Sequence, residues 1–189
     1  MQAGRLLASQ LNALNRHLHE VAGELQPADW LRRGVPGTNL PAFTLWHVVR
    51  GLDSTVNLGL RSGSELIESE PWASKGWARP DGGTGYSIEE ADRLAAQVVP
   101  SEVLEYADTL RGQVNNWLRT VSDEELEAPN ALLENVTRRE VYDVPAYREA
   151  IKEFAGLPVW VILSLVCFAH SWAHLEEIRL LAAAGRQAG

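Results

Sequence analysis

The chain of 189 residues has one cysteine, Cys167, two lysines, no low-complexity tract, and no apolar run longer than 13 residues. Each shortage excludes something. A lone cysteine rules out an intrachain disulfide framework and any multi-cysteine zinc or iron–sulfur centre. The longest apolar run, LPVWVILSLVCFA at 157–169, is too short to cross a bilayer and suits a core helix, so no membrane partner is expected. Positive charge is also scarce: 17 Lys and Arg stand against 25 Asp and Glu, a formal net charge of -8. Phosphates repel such a chain unless it gathers a basic face, and the sequence shows no basic cluster, so nucleic acid is not an expected partner. The opening MQAGRLLASQLNALNRHLHE lacks the unbroken apolar core of a signal peptide and reads as structure, so a cytoplasmic protein is expected.

What is present is helical periodicity. Leu7, Leu11, Leu14, Leu18, Val21 and Leu25 recur in steps of four and three, the stripe of a helix packed in a bundle, and Pro27 ends it. A second helix is expected from Asn39 as N-cap, with Pro41 in the first turn, to about Arg61. Residues 62–86 hold no sustained period and are rich in Gly, Ser and Pro, so they read as a long crossover connection. SIEE at 87–90 is a capping box opening a third helical region to about Thr120, kinked or interrupted at Pro100. SDEE from 122 offers another capping box, and a short helix is expected at 145–154 in an otherwise irregular 128–155 segment. The last helix follows Gly156 and Pro158 and is expected to stop at Gly185 as a C-cap. Nothing reads as a strand pair. The expected architecture is all-α: one four-helix-bundle domain over 1–189 with a long crossover loop between helices 2 and 3.

Chemistry concentrates in FAHSWAHLEEI at 168–178. His170 and His174 are four residues apart, so on a helix their imidazoles stack on one face and can reach one ion. At 100° per residue that face also carries Val159, Leu163, Cys167, Glu177 and Leu181, which points the pair at the bundle core. Ser171 stands where a zincin has its catalytic glutamate, so a metalloprotease is not expected. In the second helix His47 shares a face with Leu40, Phe43, Gly51, Ser54 and Leu58, and Gly51 leaves space beside it. Three neutral imidazoles from two helices leave coordination positions open, as in a catalytic rather than a closed structural site. Asp53 falls on a different face. His17 lies at the edge of the leucine stripe and His19 away from it. Cys167 reads as a small packing residue rather than a thiolate ligand. Trp72 and Trp77 in the long connection have three readings: a lid over the bundle end, a dimer interface, or plain packing.

GTNLPAFTLWHVVRGLDSTVN at 37–57 followed by HSWAHLEEIRLLAAAGRQ at 170–187 resembles the DinB/YfiT-like family, whose pattern is one histidine early in the second helix and HxxxH in the last. His47, His170 and His174 match those positions, with Glu177, Ile178 and Gly185 agreeing beside them, and the helix order agrees across nearly the whole chain. The 128–155 segment matches no fixed feature of the family. The resemblance implies a four-helix bundle with a divalent metal, zinc or nickel, on the three histidines. It also implies a homodimer and thiol-dependent chemistry on a small molecule: an S-transferase or isomerase using a low-molecular-weight thiol as co-substrate. Glu177 is expected to orient an imidazole or pair with an arginine at the surface, and it is the one candidate for a general base. Two other readings stand beside this one, a metal-dependent hydrolase and a non-catalytic metal-binding or structural dimeric helical protein.

Overall fold

The computed structural model describes residues 3–188, and about every element within them is helical; no strand forms among the described residues, which hold a single isolated bridge between Pro129 and Pro158. The leucine stripe builds α1 (Ala3–Glu24), with Leu7, Leu11, Leu14, Leu18 and Val21 all buried. Burying each such side chain contributes roughly 1.5–3 kcal/mol, which makes this seam a principal source of stability. Pro27 opens a 3-10 turn, Pro27–Leu31, in which the buried Asp29 accepts a hydrogen bond from the Gln26 amide at 2.9 Å.

Helix α2 (Pro41–Asp53) starts on Pro41, but its N-cap is Leu40, without a side-chain bond. Asn39, the expected cap, instead lines a pocket. The helix continues as a π turn, Ser54–Leu60, in which the Arg61 amide bonds back to the Val56 carbonyl. After the crossover, the third helical region is interrupted at Pro100 as expected, into α3 (Ile88–Ala95) and α4 (Pro100–Leu118): Pro100, with no N–H to offer, is the first residue of α4. Both capping boxes form, Ser87 with Glu90 and Ser122 with Glu125, the latter opening α5 (Asp123–Glu127).

The 128–155 segment is more helical than its sequence suggests. It folds into α6 (Leu132–Thr137), a 3-10 turn, α7 (Pro145–Ile151) and a second 3-10 turn, Lys152–Phe154. Leu132, Val136, Tyr142, Tyr147 and Ile151 form a satellite core with Leu58 and Ile162, apart from the main one. Asn135 ties it to the π turn by donating to the Gly59 carbonyl at 2.8 Å.

The last helix runs through α8 (Val159–Ile162), a π turn Leu163–Ala169, and α9 (His170–Ala188). Taken whole, 159–187 is long and apolar enough to span a bilayer by length and composition, a property it shares with core helices. Here Leu163, Cys167, Leu175, Ile178 and Ala182 belong to the main core. Gly185 does not end the helix; it lies inside α9, where a Cβ would stand 2.9 Å from the Arg32 side chain, so glycine serves close approach rather than capping. Helices α1, α2, α4 and α9 each pack on two of the others, α1 and α2 both against α4 and α9, which makes the four-helix bundle.

The crossover is pinned rather than loose. Arg50, fully buried in α2, donates to Asp53 at 2.8 Å and to Glu65 at 2.7 Å, and Asp53 accepts from the backbone amides of Leu66 and Ile67 at 3.0 and 3.1 Å. Tyr106 and Tyr142 close the network with their hydroxyls on Asp53 and Glu65. Trp72 and Trp77 are buried beside Tyr106, with ring centroids 5.3 and 5.7 Å from it; Trp77 receives the Trp46 indole N–H on its carbonyl at 3.1 Å. Of their three readings, the structure shows packing.

Candidate metal centre

His47 sits midway along α2, and His170 and His174 occupy the first and second turns of α9. One ligand atom from each lies within 4.8 Å of the others. Ring centroids are 4.4 Å apart for His170 and His174, 5.3 Å for His47 and His174, and 5.7 Å for His47 and His170. The imidazoles do not point into the core. The buried seam of α9 is Ser171, Leu175, Ile178 and Ala182, and the histidines flank it, His170 exposed and His47 and His174 half-buried. The π turn just before His170 explains the offset. It inserts an extra residue into the helical turn, so a wheel drawn continuously from Val159 loses its register there. Cys167, upstream of the turn's end, is accordingly buried, while His170 opens to solvent.

Two of the three rings are oriented by hydrogen bonds on the same nitrogen. His47 Nδ1 lies 2.6 Å from the Gly82 carbonyl oxygen, and His174 Nδ1 lies 2.7 Å from Glu177 Oε2. Both partners only accept, so Nδ1 is the donor in each ring, and in the neutral imidazole Nε2 is then the nitrogen with the free lone pair. A metal-bound histidine is held in this way, with its second nitrogen donating to a carbonyl or carboxylate. Burial lowers the pKa of His47, partly countered by the Gly82 bond, and His174 lowers it further. Loss of solvent around the His170 ring, followed by repulsion from His174 and His47, pushes His170 down to about 4. His47 and His170 are thus uncharged at neutral pH, the state that can donate to a cation. His47, His170 and His174 would supply three imidazole nitrogens to a divalent cation, and ligand atoms within 4.8 Å of one another fit such an ion.

The carbonyl that orients His47 belongs to DGGTGY at 81–86, the end of the crossover. Gly83 has φ +77°, a conformation L side chains rarely adopt, and a Cβ there would stand 2.8 Å from the Trp46 ring and 2.9 Å from Phe43. Asp81 fastens the turn, accepting from the Gly83 amide at 2.8 Å and from the Tyr86 hydroxyl at 3.0 Å. The three glycines in six residues are the sequence signal for this strap, although they do not say which side chain it serves. Gly51 does leave open space beside His47.

The remaining candidates lie elsewhere. Asp53 is in the buried Arg50 network. His17 is buried, stacks on Trp172 at 4.0 Å, and has Nε2 2.7 Å from Glu176. His19 is 3.2 Å from Asp108 at the surface. Glu177 acts through His174 and not among the three ligand atoms.

A sequence profile described as the DinB superfamily matches residues 10–178. The fold is similar to the crystal structure of a conserved protein from Enterococcus faecalis, with a TM-score of 0.60, 20% identity, and coverage of 97% of this chain and 99% of that one. No curated protein matches the chain.

Proposed function

We propose that this chain, which belongs to the DinB superfamily, is a metal-dependent enzyme that binds a divalent cation through His47, His170 and His174 and promotes thiol chemistry of the S-transferase or isomerase type. The observation that carries the reading is the shared orientation of His47 and His174. Each Nδ1 is already committed, to Gly82 and to Glu177, which leaves Nε2 of each ring to bind an ion, and one ligand nitrogen from each of the three rings lies within 4.8 Å of the others.

Three neutral donors leave a divalent ion its full charge, and the chemistry such an ion supplies is Lewis acidity, which lowers the pKa of a thiol brought to it. The chain's own contribution is to present the donors deprotonated, to fix two rings, and to leave the pocket side of the triad open. Hydrolysis of an amide or ester fits less well, because a departing amine or alkoxide needs a proton. Glu177 is engaged with His174, and no Asp or Glu lines the pocket among the described residues. The same reading takes the protein as a cytoplasmic homodimer acting on a small molecule, with no nucleic-acid partner, in keeping with the acidic balance.

The test is metal content per chain, by elemental mass spectrometry, on protein purified without a histidine tag or chelator. One equivalent of zinc or nickel, lost in folded His47→Ala and His174→Ala variants, is the expected result. Protein that holds no metal and takes none up on titration overturns the reading in favour of a purely structural helical protein. Sedimentation velocity tests the dimer.

A further inference from the structure

The cavity that begins at the imidazoles extends well past them, with a volume of about 370 Å³, within the range of small-molecule sites. Its wall is built largely by the 128–155 segment, which matches no fixed feature of the family, and by the π turn before His170. Tyr147, Ile151 and Phe154 come from α7 and the 3-10 turn after it, and Leu165 and Val166 come across from the π turn before His170. The satellite core beneath, with Tyr147 and Ile151 buried in it, holds this wall rigid. Leu165 is 49% exposed at the rim, a large apolar side chain left in water beside an apolar hollow.

The lining is as informative for its charge. Among the described residues that form it, none is Lys, Arg, Asp or Glu; the polar contributions are neutral, from Asn39, Thr44, Thr55 and Thr84 among others. A charged group lying against the apolar wall, away from the imidazoles, would give up hydration with no countercharge to meet it, whereas an anionic group at the imidazoles would meet the charge of a bound cation. The net charge of -8 adds a long-range penalty for anions.

We propose that the cavity takes a molecule with an uncharged hydrocarbon tail, the tail lying against Tyr147, Ile151, Phe154, Leu165 and Val166 and the polar head at the imidazoles. The position of the head rests on the metal reading above; the tail lobe rests on its own residues. Burial of alkyl carbons then sets affinity, at roughly 0.8 kcal/mol per CH₂ or about fourfold in Kd.

The experiment uses the full chain, first metal-free and then after zinc titration, with carbon-13 methyl NMR of Ile151 as readout. The probes are 1-butanol, 1-hexanol, hexanoate and hexylammonium. On the metal-free chain, saturable shifts with 1-hexanol, at least tenfold tighter than with either charged hexyl compound and tighter than with 1-butanol, are expected, and the preference for the longer chain should persist after zinc titration. Leu165→Glu and Phe154→Glu, at positions open enough to tolerate the change, should each weaken 1-hexanol tenfold or more without altering zinc uptake. Equal binding of hexanoate or hexylammonium to the metal-free chain, no dependence on chain length, or no shift at Ile151 overturns the proposal. A selective lobe in a chain that takes no zinc would overturn the metal reading alone, and zinc uptake with an unselective lobe would overturn this one alone.

Discussion

Glu177 Oε2 lies 2.7 Å from His174 Nδ1, one turn of α9 beyond the imidazole it holds. Helical spacing of i and i+3 brings the two side chains together, so one local element supplies both a donor and the carboxylate that fixes its tautomer. His47 has no such neighbour on α2, and its partner comes instead from the Gly82 carbonyl, 35 residues away in sequence.

Replacing Glu177 should therefore weaken metal binding without abolishing it. Glu177→Ala frees the His174 ring to rotate and to exchange tautomers, and loss of such a partner lowers metal affinity by about 10- to 100-fold. Competition against a chromophoric chelator measures the change, and circular dichroism checks that the helix remains. Affinity equal to that of the unaltered protein would show that the carboxylate has no orienting effect.

The strap is open to the corresponding experiment. Gly83→Ala puts a Cβ at φ +77° and against Trp46 and Phe43. Strain at such a position costs about 1–3 kcal/mol, and the turn can relieve it by carrying the Gly82 carbonyl away from His47. Reduced metal affinity together with a lowered melting temperature is expected. Gly76→Ala, where a Cβ meets nothing within 4 Å, serves as the control from the same crossover and should change neither.

The Arg50 network predicts a stability effect. Arg50, Asp53 and Glu65 are all buried; burial pushes the Glu65 carboxyl up, and Arg50 opposes that shift. Removing the cation alone leaves two buried acids without it, so Arg50→Met should destabilise the fold by about 3–5 kcal/mol in urea denaturation. The Arg50→Met, Glu65→Gln double variant should recover part of that loss. Strict additivity of the two single variants would mean that they do not share a network.

Most of the helical framework was legible because it rests on local rules. The α1 stripe follows from period alone, the starts at Ser87 and Ser122 from capping chemistry, and the break before α4 from the missing N–H of Pro100. The pairing of His170 with His174 follows from the same local geometry, and His47 was singled out by the face it shares with Leu40, Phe43 and Gly51, with the resemblance agreeing. Features set by non-local contacts were hidden. The two π turns depend on backbone bonds that leave no residue signature, and the one at 163–169 turned histidines expected in the core toward a pocket. Gly185 reads like a cap until Arg32 is seen packed against it. Arg50 and Asp53 look like an exposed i, i+3 pair on a helix, and only the return of Glu65 and two tyrosines explains their burial. The α6–α7 wall lacks periodicity because each piece is too short to show one.

A last prediction concerns pH and the join between the turn after α1 and the end of α9. Asp29, in the turn after α1, is held below the ordinary carboxylate range by the Gln26 amide, against the opposing effect of burial, and by Arg186 and Arg32. Arg186 comes from the end of α9 and lies 2.6 Å from Asp29 Oδ2; Arg32 lies 3.7 Å from Oδ1. Because the folded pKa is the lower one, the unfolded chain takes up the proton first as pH falls. The stabilisation is therefore complete well above the unfolded value of about 3.9, shrinks as pH drops through it, and is gone below the folded value. Asp29→Asn keeps an oxygen for the Gln26 amide but removes the charge. It should lower the urea midpoint at pH 7, with the gap to the unaltered protein closing between pH 5 and pH 3, about where the unfolded carboxyl titrates. A gap that stays constant over that range would assign the effect to packing of the side chain, and the bridge between the α1 turn and α9 would then owe nothing to its charge.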